Sequence, residues 1–238
     1  MSILYHLLDY IILFMIAVYA LQGVRHGTLV SLASTASMGA SWLIAGALAP
    51  TLSAAVSHTG AFSFMQYLTQ TSADVSTVEL YNTSVSSITS TQITDLVAGA
   101  KLPPLYAQAL SENLTDQAFS GTMTTTVSQY LDQTIANVTQ NLVSFLLIYL
   151  LCRVIFCLII SSWNFSAPFA VLTRYDGLVG GILGGVRGVL AAFALTMLVP
   201  AMLVMVDFPE IQKFVTDTAL GNFFYEHNFL FGFISGIF

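Results

Sequence analysis

The chain is poor in charge. Lysine and arginine number 6 and aspartate and glutamate 12 among 238 residues, so 8% of the sequence is charged, against about 25% in an ordinary soluble domain. So few ionic groups cannot coat a water-facing surface. The 6 basic residues do not cluster, which leaves no patch able to track phosphates and excludes nucleic acid as an expected partner. Cysteine is scarce as well. Cys152 and Cys157 stand five apart in one apolar run, a spacing that points them to different helix faces and implies neither a disulfide framework nor a metal site. The four histidines, His6, His26, His58 and His227, are scattered. No metalloprotease, nucleophile-elbow, phosphate-loop or dinucleotide spacing occurs, so neither enzymatic activity nor a cofactor is expected.

What the chain has instead is apolar length: hydrophobic residues make up 56% of it. A helix crossing the hydrocarbon layer needs roughly 20 mostly apolar residues, and four runs qualify, at 3–21, 29–48, 142–163 and 178–206. The first lacks the basic start of a signal peptide, carries Asp9 and is followed after the turn GVRHG by a second run, so a retained helix is expected. The predicted fold is an all-α integral membrane protein with four transmembrane helices in two hairpins. Its divisions are a first hairpin at 1–50, a Ser/Thr-rich, partly helical outer segment at 51–141, a second hairpin at 142–206 and an aromatic tail at 207–238.

Lysine and arginine near helix ends favour the cytoplasmic side. Arg25 and Arg174 occupy the two short links, which places those links inside and the long segment, the tail and both termini outside. Within the outer segment Leu105, Ala109, Ile135 and Val138 recur at helical spacing, Leu102-Pro103-Pro104 reads as a break, and 72–94 has weak periodicity. Short amphipathic helices lying over the outer face are expected there, not a separate folded domain. The tail's phenylalanines, Phe223, Phe224, Phe229, Phe231 and Phe233, together with Tyr225, read as interfacial anchors or as a partner-binding segment.

The fourth run opens on DGLVGGILGGVRG. On a helix of ~3.6 residues per turn, Gly177, Gly180, Gly181, Gly184, Gly185 and Gly188 form one stripe. Glycines four apart let two helix backbones approach closely in lipid, which offsets their poor helix propensity. Gly27, Ser31, Ser34, Ser41 and Ala45 line one side of the second run and supply the expected opposing face, within one chain or between two. A flexible gate is the alternative use of the stripe. The triplet Gly-Val-Arg occurs at 23–25 and again at 185–187, before two helices expected to run outward, which fits two related hairpins.

Polar groups inside the runs are few. Arg153 has eleven residues of its run before it and ten after, so it falls near mid-membrane, where a charge is costly and marks either an ion pair or a water-filled path. Asp9 is the candidate partner. Asp176 and Arg187 lie eleven residues, or about 16 Å, apart along one helix and cannot pair with each other.

Three stretches carry a family resemblance. LLDYIILFMIAVYALQGVRHGTLVSLAS resembles the first hairpin of the colicin V production protein family of bacterial membrane proteins, with Asp9, the Gly23-x-Arg25-x-Gly27 turn and a small-residue second helix. RYDGLVGGILGGVRGVL is similar to that family's approach to its last helix, though Tyr175 and Asp176 follow Arg174 where the family's polar pattern differs. TALGNFFYEHNFLF resembles the tail of its longer members from Gram-positive bacteria. The resemblance implies a multi-pass protein of the bacterial cytoplasmic (inner) membrane, linked by the family's name to bacteriocin production and toxin biosynthesis. The functional expectation is an accessory or scaffold in toxin production, export or envelope homeostasis, with the lipid bilayer and either another copy or another membrane protein as partners. The competing expectation is a small transporter or channel whose path includes Arg153 and Asp9.

Overall fold

A computed structural model describes residues 6–69, 82–100, 102–121, 124–162, 175–205 and 217–234, and every named element among them is helical. Arg174 with the link at 163–174, Lys101 and the last residue of the 178–206 run lie outside the described residues. Among the described residues three helices are long and apolar enough to cross a membrane: α1 (Leu7–Ser57), α5 (Val127–Ser162), and the stretch Asp176–Val204 that contains α6 (Asp176–Thr196) and most of α7 (Leu198–Met205). Shorter helices are α2 (Gly60–Thr69), α3 (Ser90–Gly99), α4 (Pro104–Thr115) and α8 (Ala219–Glu226). Leu13, Phe14, Leu43, Leu150, Leu158 and Ile182 are each at least half exposed on the long helices. In water such a surface would be an aggregation site, whereas in hydrocarbon it is the surface required.

α1 is not one rod. Gly27 has φ 77° and ψ 179°, a region essentially confined to glycine, and it separates a first arm, 7–26, from a second arm, 28–57.

The chain forms two compact units. The first comprises Met1–Ala47, Leu146–Val199 and Pro209–Leu230; the second comprises Leu48–Phe145, Pro200–Phe208 and Phe231–Phe238. In the second unit Leu96, Tyr106, Leu110, Tyr130, Ile135 and Val138 belong to one buried cluster, joined by Val204 of α7. Residues of the 51–141 segment therefore share a buried core to which α7 also contributes, where short amphipathic helices were expected. Periodicity revealed α4 and the buried face of α5 but not that they would meet, because long-range packing leaves no local signal.

The local rules hold within that unit. Thr89 and Gln92 form a capping box at the start of α3, with the Thr89 N–H donating to Gln92 Oε1 at 2.9 Å; this satisfies donors that a helix start leaves open. Pro104 is the first residue of α4, where its missing N–H costs nothing, so Leu102-Pro103-Pro104 is a helix start. Buried polar groups pair across the core: Tyr106 Oη with Thr139 Oγ1, and Asn113 Nδ2 donating to Thr134 Oγ1, both at 2.9 Å. Residues 84–94 are ordered into a short 3-10 turn, Val85–Ser87, and the start of α3, with the Val85 N–H donating to the Thr125 carbonyl. The remainder of the weakly periodic stretch, 72–81, lies outside the described residues.

In the first unit, the tail packs more than it anchors. Phe224 is buried, with its ring 4.8 Å from that of Phe193. Asn228 Nδ2 donates to the Phe193 carbonyl at 2.8 Å, and Phe229 meets Trp42 edge-on at 5.4 Å. Phe223 remains half exposed, as an interfacial anchor would be.

Candidate functional site

The first unit is assembled around the glycine stripe of α6. A methyl group built on Gly180 would strike the Gly23 carbonyl, one on Gly184 the Tyr19 carbonyl, and one on Gly188 would lie 2.7 Å from the Ile16 Cα. A methyl on Gly181 would lie 2.7 Å from the Val24 side chain and one on Gly177 3.4 Å from the Val24 carbonyl. The stripe thus packs backbone to backbone, but chiefly on the first arm of α1 and not on the predicted face of the second. A methyl on Gly185 would meet nothing within 4 Å among the described residues, so it stands apart from the contact. Small residues allow close approach without naming the partner, and the first arm, with Ala20 and Gly23, offers as flat a surface as the serine face did.

The second arm touches α6 at its start and through Thr35, whose hydroxyl donates to the Leu183 carbonyl at 3.3 Å. Of the predicted serines, Ser31 Oγ donates to the Gly23 carbonyl at 3.4 Å, and Ser41 Oγ donates to the Ser37 carbonyl at 2.7 Å. Ser31 and Ser34 face a cavity instead of the stripe.

Asp9 and Asp176 both serve as helix caps supplied by a distant segment. Asp9 Oδ1 accepts the N–H groups of Leu220 and Gly221 at 2.9 and 3.2 Å at the start of α8. His6 Nδ1 lies 3.7 Å from the same carboxylate. Asp9 is therefore not the partner of Arg153: its carboxylate is taken up by the free backbone donors of a helix start. Asp176 Oδ1 accepts the Thr28 N–H at 2.9 Å, and Thr28 Oγ1 donates back to the Asp176 carbonyl at 3.1 Å.

The arginines differ. Arg25 is exposed at the corner. Arg153 and Arg187 line one cavity of about 910 Å³, and among the described residues no acidic side chain lines it. Arg153 donates to Ser37 Oγ at 3.0 Å. Arg187, 8% exposed, donates to Gln22 Oε1 at 3.2 Å and lies 4.7 Å from the centre of the Tyr19 ring. Its Nε is buried and makes no hydrogen bond. Among the described residues the ion pairs reduce to His6 with Asp9, so neither guanidinium is neutralised. A buried charge without a counter-charge costs several kcal/mol; Arg187 is in that position, and the half-buried Arg153 faces the same cavity. An anion seated there would offset both.

The structure sets Arg153 and Arg187 on one cavity; sequence reasoning singled out both as polar groups without bringing them together. It missed Tyr19, Gln22 and Ser37. Ser37 had a signal, because it continues the Ser31 and Ser34 spacing by three residues; Gln22 and Tyr19 had none beyond standing one and two turns before the corner. No family model, curated protein or solved structure matches the chain.

Proposed function

We propose that the chain is a bacterial inner-membrane protein of four crossings in two hairpins, and that its first unit binds and passes an anionic solute. The observation that carries this reading is the pair Arg153 and Arg187 on one cavity with no acidic residue among the described residues of its lining. For the crossings, support comes from the order of contacts along α6. Residues 27, 23, 19 and 16 of α1 meet residues progressively further along α6, so the first arm runs against it. Thr28 and Thr35 meet Asp176 and Leu183 in the same order, so the second arm runs with it. The two arms are then antiparallel about Gly27, and at ~1.5 Å per residue the shorter still extends ~30 Å. The positive-inside tendency of Arg25 and Arg174 places the corner in the cytoplasm and both termini outside.

The accessory or scaffold role in toxin production or export is supported by the family resemblance. Its three stretches coincide with the joints of the first unit, namely the Gly27 corner, Asp176 and the cap that Asp9 provides to α8. Those joints explain the architecture and leave the arginine cavity unexplained. The small-residue stripe that self-association would use is covered by the chain's own first arm.

The test is flux of anions and cations from liposomes holding the purified protein, comparing wild type with Arg187→Gln and Arg153→Leu at matched insertion. Anion-selective flux that falls in both variants supports the path. Absence of flux across a broad solute panel, with the protein folded, returns the reading to a scaffold.

A further inference from the structure

We propose that the occupant of the arginine cavity is an amphiphilic anion, a compact oxoanion head on an apolar chain, taken in from the lipid side of the first unit. This rests on the anion reading above and names the class of anion.

The cavity has two kinds of wall. Arg153, Arg187, Gln22, Ser31 and Ser34 belong to the polar part. Ile11, Phe14, Met15 and Val18 form the other part. Those four recur at i, i+3, i+4 and i+7, one apolar face of the first arm about two turns long. A hydrated inorganic anion gains nothing from such a wall, whereas an alkyl chain buries against it at roughly 25 cal/mol per Å² of apolar surface.

Size points the same way. A cavity of about 910 Å³ lies at the upper end of the ~300–1,000 Å³ that hold small organic ligands. A water molecule's share of liquid volume is only about 30 Å³, and a bare phosphate is not many times larger. The route is marked by exposure: Ile11 is 43% and Phe14 72% exposed, yet both line the cavity. The apolar wall is therefore continuous with surface that meets hydrocarbon, and a chain in the bilayer can reach the arginines without leaving an apolar environment.

Cys157 lines the cavity and is exposed, which gives a direct readout. The full-length protein, with Cys152→Ser so that Cys157 reports alone, is reconstituted in zwitterionic nanodiscs, and the rate of Cys157 alkylation by N-ethylmaleimide is followed. The probes are decyl phosphate below its micellar concentration, inorganic phosphate and decanol. Decyl phosphate is expected to slow alkylation at least about tenfold at saturation. Arg187→Gln and Arg153→Gln are expected to raise the concentration required by about tenfold or more, with Arg187→Lys recovering part. Phe14→Ala alters an exposed side chain and avoids the folding risk of replacing a buried arginine; it is expected to weaken decyl phosphate as well. Equal protection by inorganic phosphate, with the same arginine dependence, overturns the amphiphile and leaves the anion reading standing. Equal protection by decanol overturns the amphiphilic anion and removes the support for an anion path. Protection by none of the probes overturns both.

Discussion

Asp176 and Thr28, 148 positions apart, exchange two hydrogen bonds, the carboxylate accepting the Thr28 N–H at 2.9 Å and the Thr28 hydroxyl donating to the Asp176 carbonyl at 3.1 Å. The exchange pins the start of the second arm of α1 to the start of α6. It requires the chain to turn sharply just before Thr28, and Gly27 does so with φ 77° and ψ 179°. A side chain on Gly27 would run into the Asp176 carboxylate, so corner and latch are one device.

Gly27→Ala should accordingly be costly for two separable reasons. The backbone region alone carries about 1–3 kcal/mol of strain for a residue with a Cβ, and the methyl displaces the carboxylate. Thermal unfolding in detergent should show a large loss for Gly27→Ala. Asp176→Ala should show a smaller one, and the double variant should lose less than the sum, because the loss of the latch is counted in both singles and removing the carboxylate relieves the clash. Simple additivity would mean that corner and latch act independently.

Adjacent glycines of α6 should behave in opposite ways. A methyl on Gly184 meets the Tyr19 carbonyl and lies 3.1 Å from the Ala20 Cα, whereas a methyl on Gly185 meets nothing within 4 Å. Gly184→Ala is expected to destabilise by about 1–3 kcal/mol through overpacking. Gly185→Ala should be neutral or stabilising by up to ~1 kcal/mol, since alanine is the better helix former. Melting temperatures of the two variants in the same detergent decide it; equal losses would mean that the stripe does not pack on the first arm.

The same pair shows how far the sequence could be read. Helical period put all six glycines on one stripe and correctly predicted close backbone approach, but a stripe does not disclose its partner. Gly185 belongs to the pattern and not to the contact. Likewise Asp9 and Arg153 were legible as polar groups in apolar runs, and composition invited pairing them. Which donors lie near Asp9 depends on where the tail folds back, and nothing local encodes that. The two Gly-Val-Arg triplets look alike in the sequence, although Arg25 is exposed at a corner and Arg187 is buried in a helix. The core of the second unit was the least legible, since Leu96, Tyr106 and Tyr130 meet only after three helices have packed.

Asp132, on the part of α5 that lies in the second unit, sets a pH dependence. Burial lifts its carboxyl above the ordinary 3.8. The folded state then holds the proton more tightly than the unfolded chain, so stability rises as pH falls through the raised value. The gain is complete below about 3.8 and absent well above the raised value. Asp132→Asn should raise the melting temperature at pH 7 and remove this acid-side gain. The check is the difference between wild-type and variant melting temperatures from pH 7 to pH 4, which should shrink as pH falls; a constant difference would mean that Asp132 titrates as it does in the unfolded chain.

The cap that Asp9 provides should control the order of α8 more than the stability of the whole chain. Its carboxylate holds the N–H groups of Leu220 and Gly221, and close by Leu8 packs so tightly against Gly221 that a methyl there would strike its side chain. A cap of this type contributes about 0.5–2 kcal/mol, with the negative charge at a helix start adding to the hydrogen bonds. Asp9→Ala should therefore free α8 to open locally, and amide exchange of 219–226 should accelerate by about tenfold while exchange in the core of the second unit stays unchanged. Asp9→Asn keeps an acceptor oxygen and loses the charge, so it should fall between the two. Unchanged exchange in α8 for Asp9→Ala would mean that the packing of Phe224 and Asn228 on Phe193 holds the helix without its cap.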